Sequence, residues 1–213
     1  MLARDPVARA EAVRDVLHRY AEPLKVYVRG STLRRKGDPV DLVQGFLASR
    51  LARDGYLDDW IRSGLPLRRW LINGLHLYSK EEVRRTLRKR CDSDDHEGGD
   101  GDPAHSTDAA VDAEWARTIL QQACELVRGE LEASGHLRAW DVFQRHFIDG
   151  RSYRDLQSEF GLRPAEMAEA SRRVANLLRE HVRLLLVRDG VAPEDVESEL
   201  RRMLAAMQAG RKG

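Results

Sequence analysis

A chain of 213 residues can hold one medium domain or two small ones, and its net charge is only +1. Apolar residues make up 42% and charged ones 33%, a balance suited to small helical cores under a well-solvated surface. The sequence offers no apolar run of membrane-spanning length, no signal-peptide stretch in MLARDPVARAEAV, and no CxxC partner for Cys91 or Cys124. A membrane protein, a disulfide framework and a zinc site are therefore not expected, and the chain reads as cytoplasmic.

Val7, Ala10, Val13, Val16, Leu17 and Tyr20 recur at three- and four-residue steps and predict a first amphipathic helix, with a second over about 23–32. Asp38 followed by Pro39 reads as a helix N-cap with proline in the first turn. In the helix that follows, Val43, Phe46, Leu47 and Arg50 share one side, with Leu51 at its border. Asp41, Gln44 and Ala48 fall on the other side. Past Gly55 and Gly64, Leu67, Trp70, Leu71 and Leu75 predict another helix over about 66–77, with Trp70 as core. Ser79-Lys80-Glu81-Glu82 has the form of a capping box, so a fresh helix is expected there, with a corner at His76, Leu77 and Tyr78.

Charge is unevenly placed. Arg68, Arg69, Lys80, Arg84, Arg85, Arg88, Lys89 and Arg90 face only Glu81 and Glu82, whereas CDSDDHEGGDGDPAHSTDAAVDAE has nine acids and no Lys or Arg. Such asymmetry marks either a nucleic-acid-binding face beside an acidic linker or a solvated helix beside a disordered loop. The stretch 92–112 reads as a disordered linker. It does not read as a calcium loop, because Glu97 stands where such a loop needs glycine and no glutamate closes it.

The second half is again helical. Trp115, Ile119, Leu120, Ala123, Leu126, Val127 and Leu131 outline one helix; Leu137, Trp140, Val142, Phe143 and Phe147 outline the next. Ser152 with Asp155 caps a short helix with Tyr153, Leu156 and Phe160 inward. Gly161 then supplies a turn, and Pro164 opens a long helix with Met167, Ser171, Val174, Leu178 and Val182 inward. A short helix, a glycine turn and a longer helix predict a helix-turn-helix. His18, His136, His146 and His181 are scattered without ligand spacing, and no paired-carboxylate, phosphate-loop or Cys/His arrangement points to an enzyme, a metal or a cofactor.

DPVDLVQGFLASRL, then LPLRRWLINGL, a basic helix, a polar linker and a C-terminal helix-turn-helix together resemble a bacterial sigma factor of the extracytoplasmic-function type. The resemblance covers most of the chain, and APEDVESELRRMLAAM is similar to the tail helix of some of its subfamilies. It implies an all-α protein of two small domains joined by a flexible acidic linker: 1–91 for core polymerase and the minus-ten element, 92–112 as linker, 113–190 for the minus-thirty-five element, and 191–213 as a tail helix. The implied partners are core RNA polymerase, through its large clamp subunit and flap, promoter DNA, and an anti-sigma factor or other regulator.

Residue by residue, the resemblance assigns Asp41, Leu42, Gln44 and Ala48 to polymerase binding, with Gly45 standing where relatives usually carry an acid. It assigns Arg68, Arg69, His76, Leu77, Tyr78, Lys80, Arg84, Arg85 and Arg88 to minus-ten DNA, where a base must leave the stack and be held. Arg163, Glu166, Glu169, Arg172, Arg173 and Asn176 are assigned to the minus-thirty-five element. Alanines at 168 and 170, where relatives are often basic, predict a modest pull on DNA. Two other readings remain: a stand-alone helix-turn-helix regulator, and a degenerate sigma-like adaptor that binds polymerase without reading DNA.

Overall fold

The computed structural model describes the backbone of residues 6–90 and 105–209, and side chains over 7–85 and 111–208. Among these residues all regular structure is helical, as the apolar periodicity predicts. No helix among them is long and apolar enough to cross a membrane. The chain divides into two compact units, one made of Met1–Thr118 with Asp189–Gly213 and the other of Ile119–Arg188.

In the first unit, α1 (Pro6–Gly30), α2 (Pro39–Leu51), α3 (Tyr56–Ser63) and α4 (Leu67–Arg90) are joined by the first part of α5 (His105–Ala133) and by α9 (Val196–Ala209). α1 packs on α2, and α2 packs on α3 and α4. Val16, Tyr20, Leu24 and Val28 of α1, Val43, Phe46 and Leu47 of α2, and Leu67, Leu71 and Leu75 of α4 are all buried.

Three sequence expectations are corrected here. The predicted break near Pro23 is absent: α1 runs through it. Tyr20, Leu24 and Val28 continue one buried stripe across the proline, and that burial offsets a lost backbone bond that would cost roughly 3 kcal/mol in an exposed helix. The corner at His76, Leu77 and Tyr78 is likewise absent, because α4 is continuous from Leu67 to Arg90. Ser79 does not cap a new helix. It is buried, its Oγ donates back to the His76 carbonyl at 2.9 Å, and it continues the Leu67–Leu71–Leu75 stripe at the same four-residue step.

The third correction concerns the linker. Residues 91–104 lie outside the described ones, but 105–112, expected in the linker, are helical in α5. Val111 and Ala113 are buried, which ties this turn to the first unit's core.

The second unit holds the rest of α5, α6 (Leu137–Phe143), a π-helical turn (Gln144–Ile148), α7 (Tyr153–Phe160) and α8 (Pro164–Arg188). α6 and α7 both pack on α8. Val127, Leu131, Trp140 and Val174 form one buried cluster and Val142, Leu156 and Met167 another. Leu120, Leu126 and Phe147, expected inward, are exposed. For Phe147 the reason is local: the wider π turn rotates it away from the buried face of Trp140.

Candidate functional site

Two surfaces of the first unit and one of the second carry the expected residues. α2 starts where its sequence says it should. The Asp38 carboxylate accepts from the backbone of Val40 at 2.8 Å and of Asp41 at 3.2 Å, with Pro39 in the first turn. Asp41, Gln44 and Ala48 are then exposed together on one face. Leu42 does not join them. It is 9% exposed and turned to the core, one residue out of phase with the polar face, so its assignment as a surface contact is corrected.

Gly45 lies half-buried at the edge of that face toward α4, and the phenol of Tyr78 from α4 lies over it. A Cβ at position 45 would collide with Tyr78 Oη and stand 3.3 Å from its Cζ. The ring packs on Phe46 at 6.0 Å, and one turn further on Arg50 Nη2 pairs with Glu81 Oε2 at 2.7 Å. Burial, then the nearby Glu82 carboxylate, raise the Tyr78 pKa, so the hydroxyl keeps its proton at neutral pH. Gly74 performs a similar service deeper in α4. A Cβ there would lie 2.5 Å from Tyr56 Oη and 3.1 Å from the Phe46 ring, so glycine marks a close approach of helices and not a break.

Along α4, Arg69, Leu77, Lys80 and Arg84 are exposed at three- to eight-residue steps on one face, and Leu77 is 60% exposed. Arg85 is exposed and pairs with Glu82 at 3.5 Å. The Arg88 side chain lies outside the described residues. His76 is half-buried, with Nε2 hydrogen-bonded to Tyr27 Oη at 2.6 Å. His76, Leu77 and Tyr78 thus point in three directions from one helix and do not form the expected base-reading loop.

Arg68 departs further from expectation. Its guanidinium lies 4.4 Å over the Trp115 ring, with Nη1 2.9 Å from Asp112 Oδ1 and Nη2 3.4 Å from Glu199 Oε1. Only 18% of the side chain is exposed. Two carboxylates and a ring thus surround this arginine's charge, although its buried Nη1 makes no hydrogen bond, and little of the side chain is open to solvent.

Beside it lies a polar node that sequence reasoning missed. Arg19, 2% exposed, pairs with Asp15 and with the equally buried Asp189. Tyr20 Oη donates to Asp189 Oδ2 at 2.5 Å, and Trp115 Nε1 donates to Tyr20 Oη at 3.3 Å. The Leu67 amide donates to the Asp189 carbonyl at 2.8 Å. Burial pushes the Tyr20 hydroxyl up to about 12. Tyr20, Arg68, Trp115, Asp189, Glu199 and Arg202 line a cavity of about 330 Å³. The one sequence signal was Arg19 itself, a charge on the buried stripe beside Tyr20, which demands a partner the local sequence supplies only in part.

In the second unit Ser152 Oγ accepts from the Asp155 amide at 3.2 Å and donates to its carboxylate at 2.6 Å, starting α7. That bond is the main reason the Asp155 pKa is lowered. Gly161 turns the chain with φ +61°. At the start of α8, Arg163 and Glu166 engage each other: the Glu166 carboxylate accepts from the Arg163 amide at 2.8 Å and from its guanidinium at 2.7 Å. The same bond raises the Arg163 pKa and lowers that of Glu166. Glu169, Arg172, Arg173 and Asn176 are exposed on one face of α8. About two turns of α8 therefore present two basic side chains, an amide and an acid.

Among the described residues, no group of three or more His, Cys, Asp or Glu side chains is placed to hold a metal ion. No family model, curated protein or solved structure matches the chain.

Proposed function

We propose that this chain is a promoter-recognition subunit of bacterial RNA polymerase, of the extracytoplasmic-function sigma type. The observation that carries the reading is α2: an exposed face of Asp41, Gln44 and Ala48 on a helix whose other side is fully committed to the core. An acid and an amide are also common on solvated helix surfaces. What supports docking is that this pair matches the resemblance and suits a partner helix, since Asp41 can accept charge-assisted bonds and Gln44 can both donate and accept.

On this reading, Arg69, Lys80 and Arg84 hold the backbone of the opened minus-ten strand, while Leu77 offers an apolar contact to a base. Arg68 is outside this set, because its charge is already answered. Arg172, Arg173 and Asn176 approach the minus-thirty-five element, with Glu169 able to accept from a cytosine amino group or to repel phosphates. Arg163 and Glu166 neutralise each other and add little net pull. Polymerase supplies the chemistry, and this subunit supplies position.

A second reading, the polymerase-binding adaptor that does not read DNA, gains support from the occupied Arg68 and the uninterrupted α4. Gel filtration with core polymerase, followed by run-off transcription from genomic fragments, separates the readings. The sigma reading expects co-elution and specific transcripts; the adaptor expects co-elution alone; a stand-alone regulator expects neither. Asp41→Arg should weaken association with core polymerase by about 2–5 kcal/mol by turning an attractive pair into a repulsive one, without loss of helical signal. Unchanged binding by a folded variant rejects the α2 assignment.

A further inference from the structure

We propose that Tyr78 is a binding residue of the α2 face, delivering its hydroxyl from α4 through the space that Gly45 leaves open. The inference rests on the reading of α2 as a protein-docking face and deepens it.

Asp41, Gln44 and Ala48 lie within about 60° of one another on α2, and half-buried Gly45 lies about 40° beyond Asp41, at the edge of their face toward α4. Gly45 has no side chain to offer a partner. The atom nearest to where its Cβ would be, close enough to collide with it, is Tyr78 Oη. The face therefore carries three polar groups, two from α2 and one from α4.

The phenol is held in that place from both sides. Its ring leans on Phe46, which is fully buried, and the Arg50–Glu81 pair bridges the two helices one turn away. A hydroxyl at the end of a packed ring has little rotamer freedom left to lose on binding, which favours it as a contact. It can both donate and accept, matching either a guanidinium-rich or a carbonyl-rich partner surface. Any side chain at position 45 must push the ring aside. Because the colliding atom is the free end of the tyrosine, the ring can swing away while the helices stay packed.

That separability sets the test: affinity of the full chain for core polymerase, with the urea unfolding midpoint of each variant measured in parallel. Tyr78→Phe keeps the ring and removes only the hydroxyl, and is expected to weaken binding about three- to tenfold with an unchanged midpoint. Gly45→Ala should cause a similar loss by displacing the ring. The double variant should lose no more than either single one, since both remove the same group. Wild-type affinity in Tyr78→Phe overturns the proposal, as does a loss accompanied by a lowered midpoint, or full additivity of the two changes. Asp41→Arg, run alongside, distinguishes the two levels. If it abolishes binding while Tyr78→Phe does nothing, the docking face stands and this residue's part in it falls. If Asp41→Arg also does nothing, the docking face itself is refuted and the proposal falls with it.

Discussion

Replacing Asp189 with Asn tests the node that joins the C-terminal segment to α1. In the native chain Arg19 is almost wholly buried and has two carboxylate partners, Asp189, itself buried, and Asp15, which is partly exposed. Asn keeps the shape of the side chain and removes its charge. Breaking a buried pair by removing one partner costs about 3–5 kcal/mol, and Asp15 remains in place, so the lower end, about 3 kcal/mol, applies. The amide oxygen can accept from Arg19 or from Tyr20 in good geometry but not from both as the carboxylate does, which adds about 1 kcal/mol. The total, about 4 kcal/mol, is a large part of the stability of an ordinary domain. Because the two units need not unfold together, urea-dependent hydrogen exchange is the assay, read at the Leu67 amide, which donates to the Asp189 carbonyl. A loss below about 1 kcal/mol at that amide refutes the reasoning. The double change Arg19→Met with Asp189→Leu should be markedly less damaging than Asp189→Asn alone, because it removes the orphaned charge together with its partner.

Alkaline pH should destabilise the first unit in a defined window. Burial raises Tyr20 and Tyr56 to about 12 from a reference of 10.0, so unfolded phenols ionise first. The stabilisation they give is complete below pH 10 and declines between 10 and 12, by up to about 1.4 kcal/mol per pH unit for each tyrosine; urea midpoints across that range measure it, and a flat profile contradicts the burial. On DNA, changing Arg172 and Arg173 together to Gln in the full chain should weaken binding to a promoter duplex and lower the magnitude of the salt slope by about 2. Fluorescence anisotropy at several salt concentrations reads both, and an unchanged slope removes these arginines from the interface.

The faces of the helices were legible in the sequence because they depend on spacing within a few residues. The Asp38–Pro39 start of α2, its buried Val43, Phe46 and Leu47, and its exposed Asp41, Gln44 and Ala48 all follow from a 3.6-residue period and one cap. The same local logic misled at Pro23 and at Ser79. A proline and a capping-box pattern state what a segment prefers alone, and a continuous buried stripe offsets that preference. Tertiary structure alone decided which charges remain available. Arg68 and Arg69 are neighbours in the sequence, yet the first is enclosed by Trp115, Asp112 and Glu199 while the second is exposed. Arg19 meets Asp189 across 170 residues, and Gly45 meets the end of a side chain from another helix. Periodicity tells a side chain which way to face, but the identity of what it meets depends on how distant segments close on one another, and no local pattern encodes that.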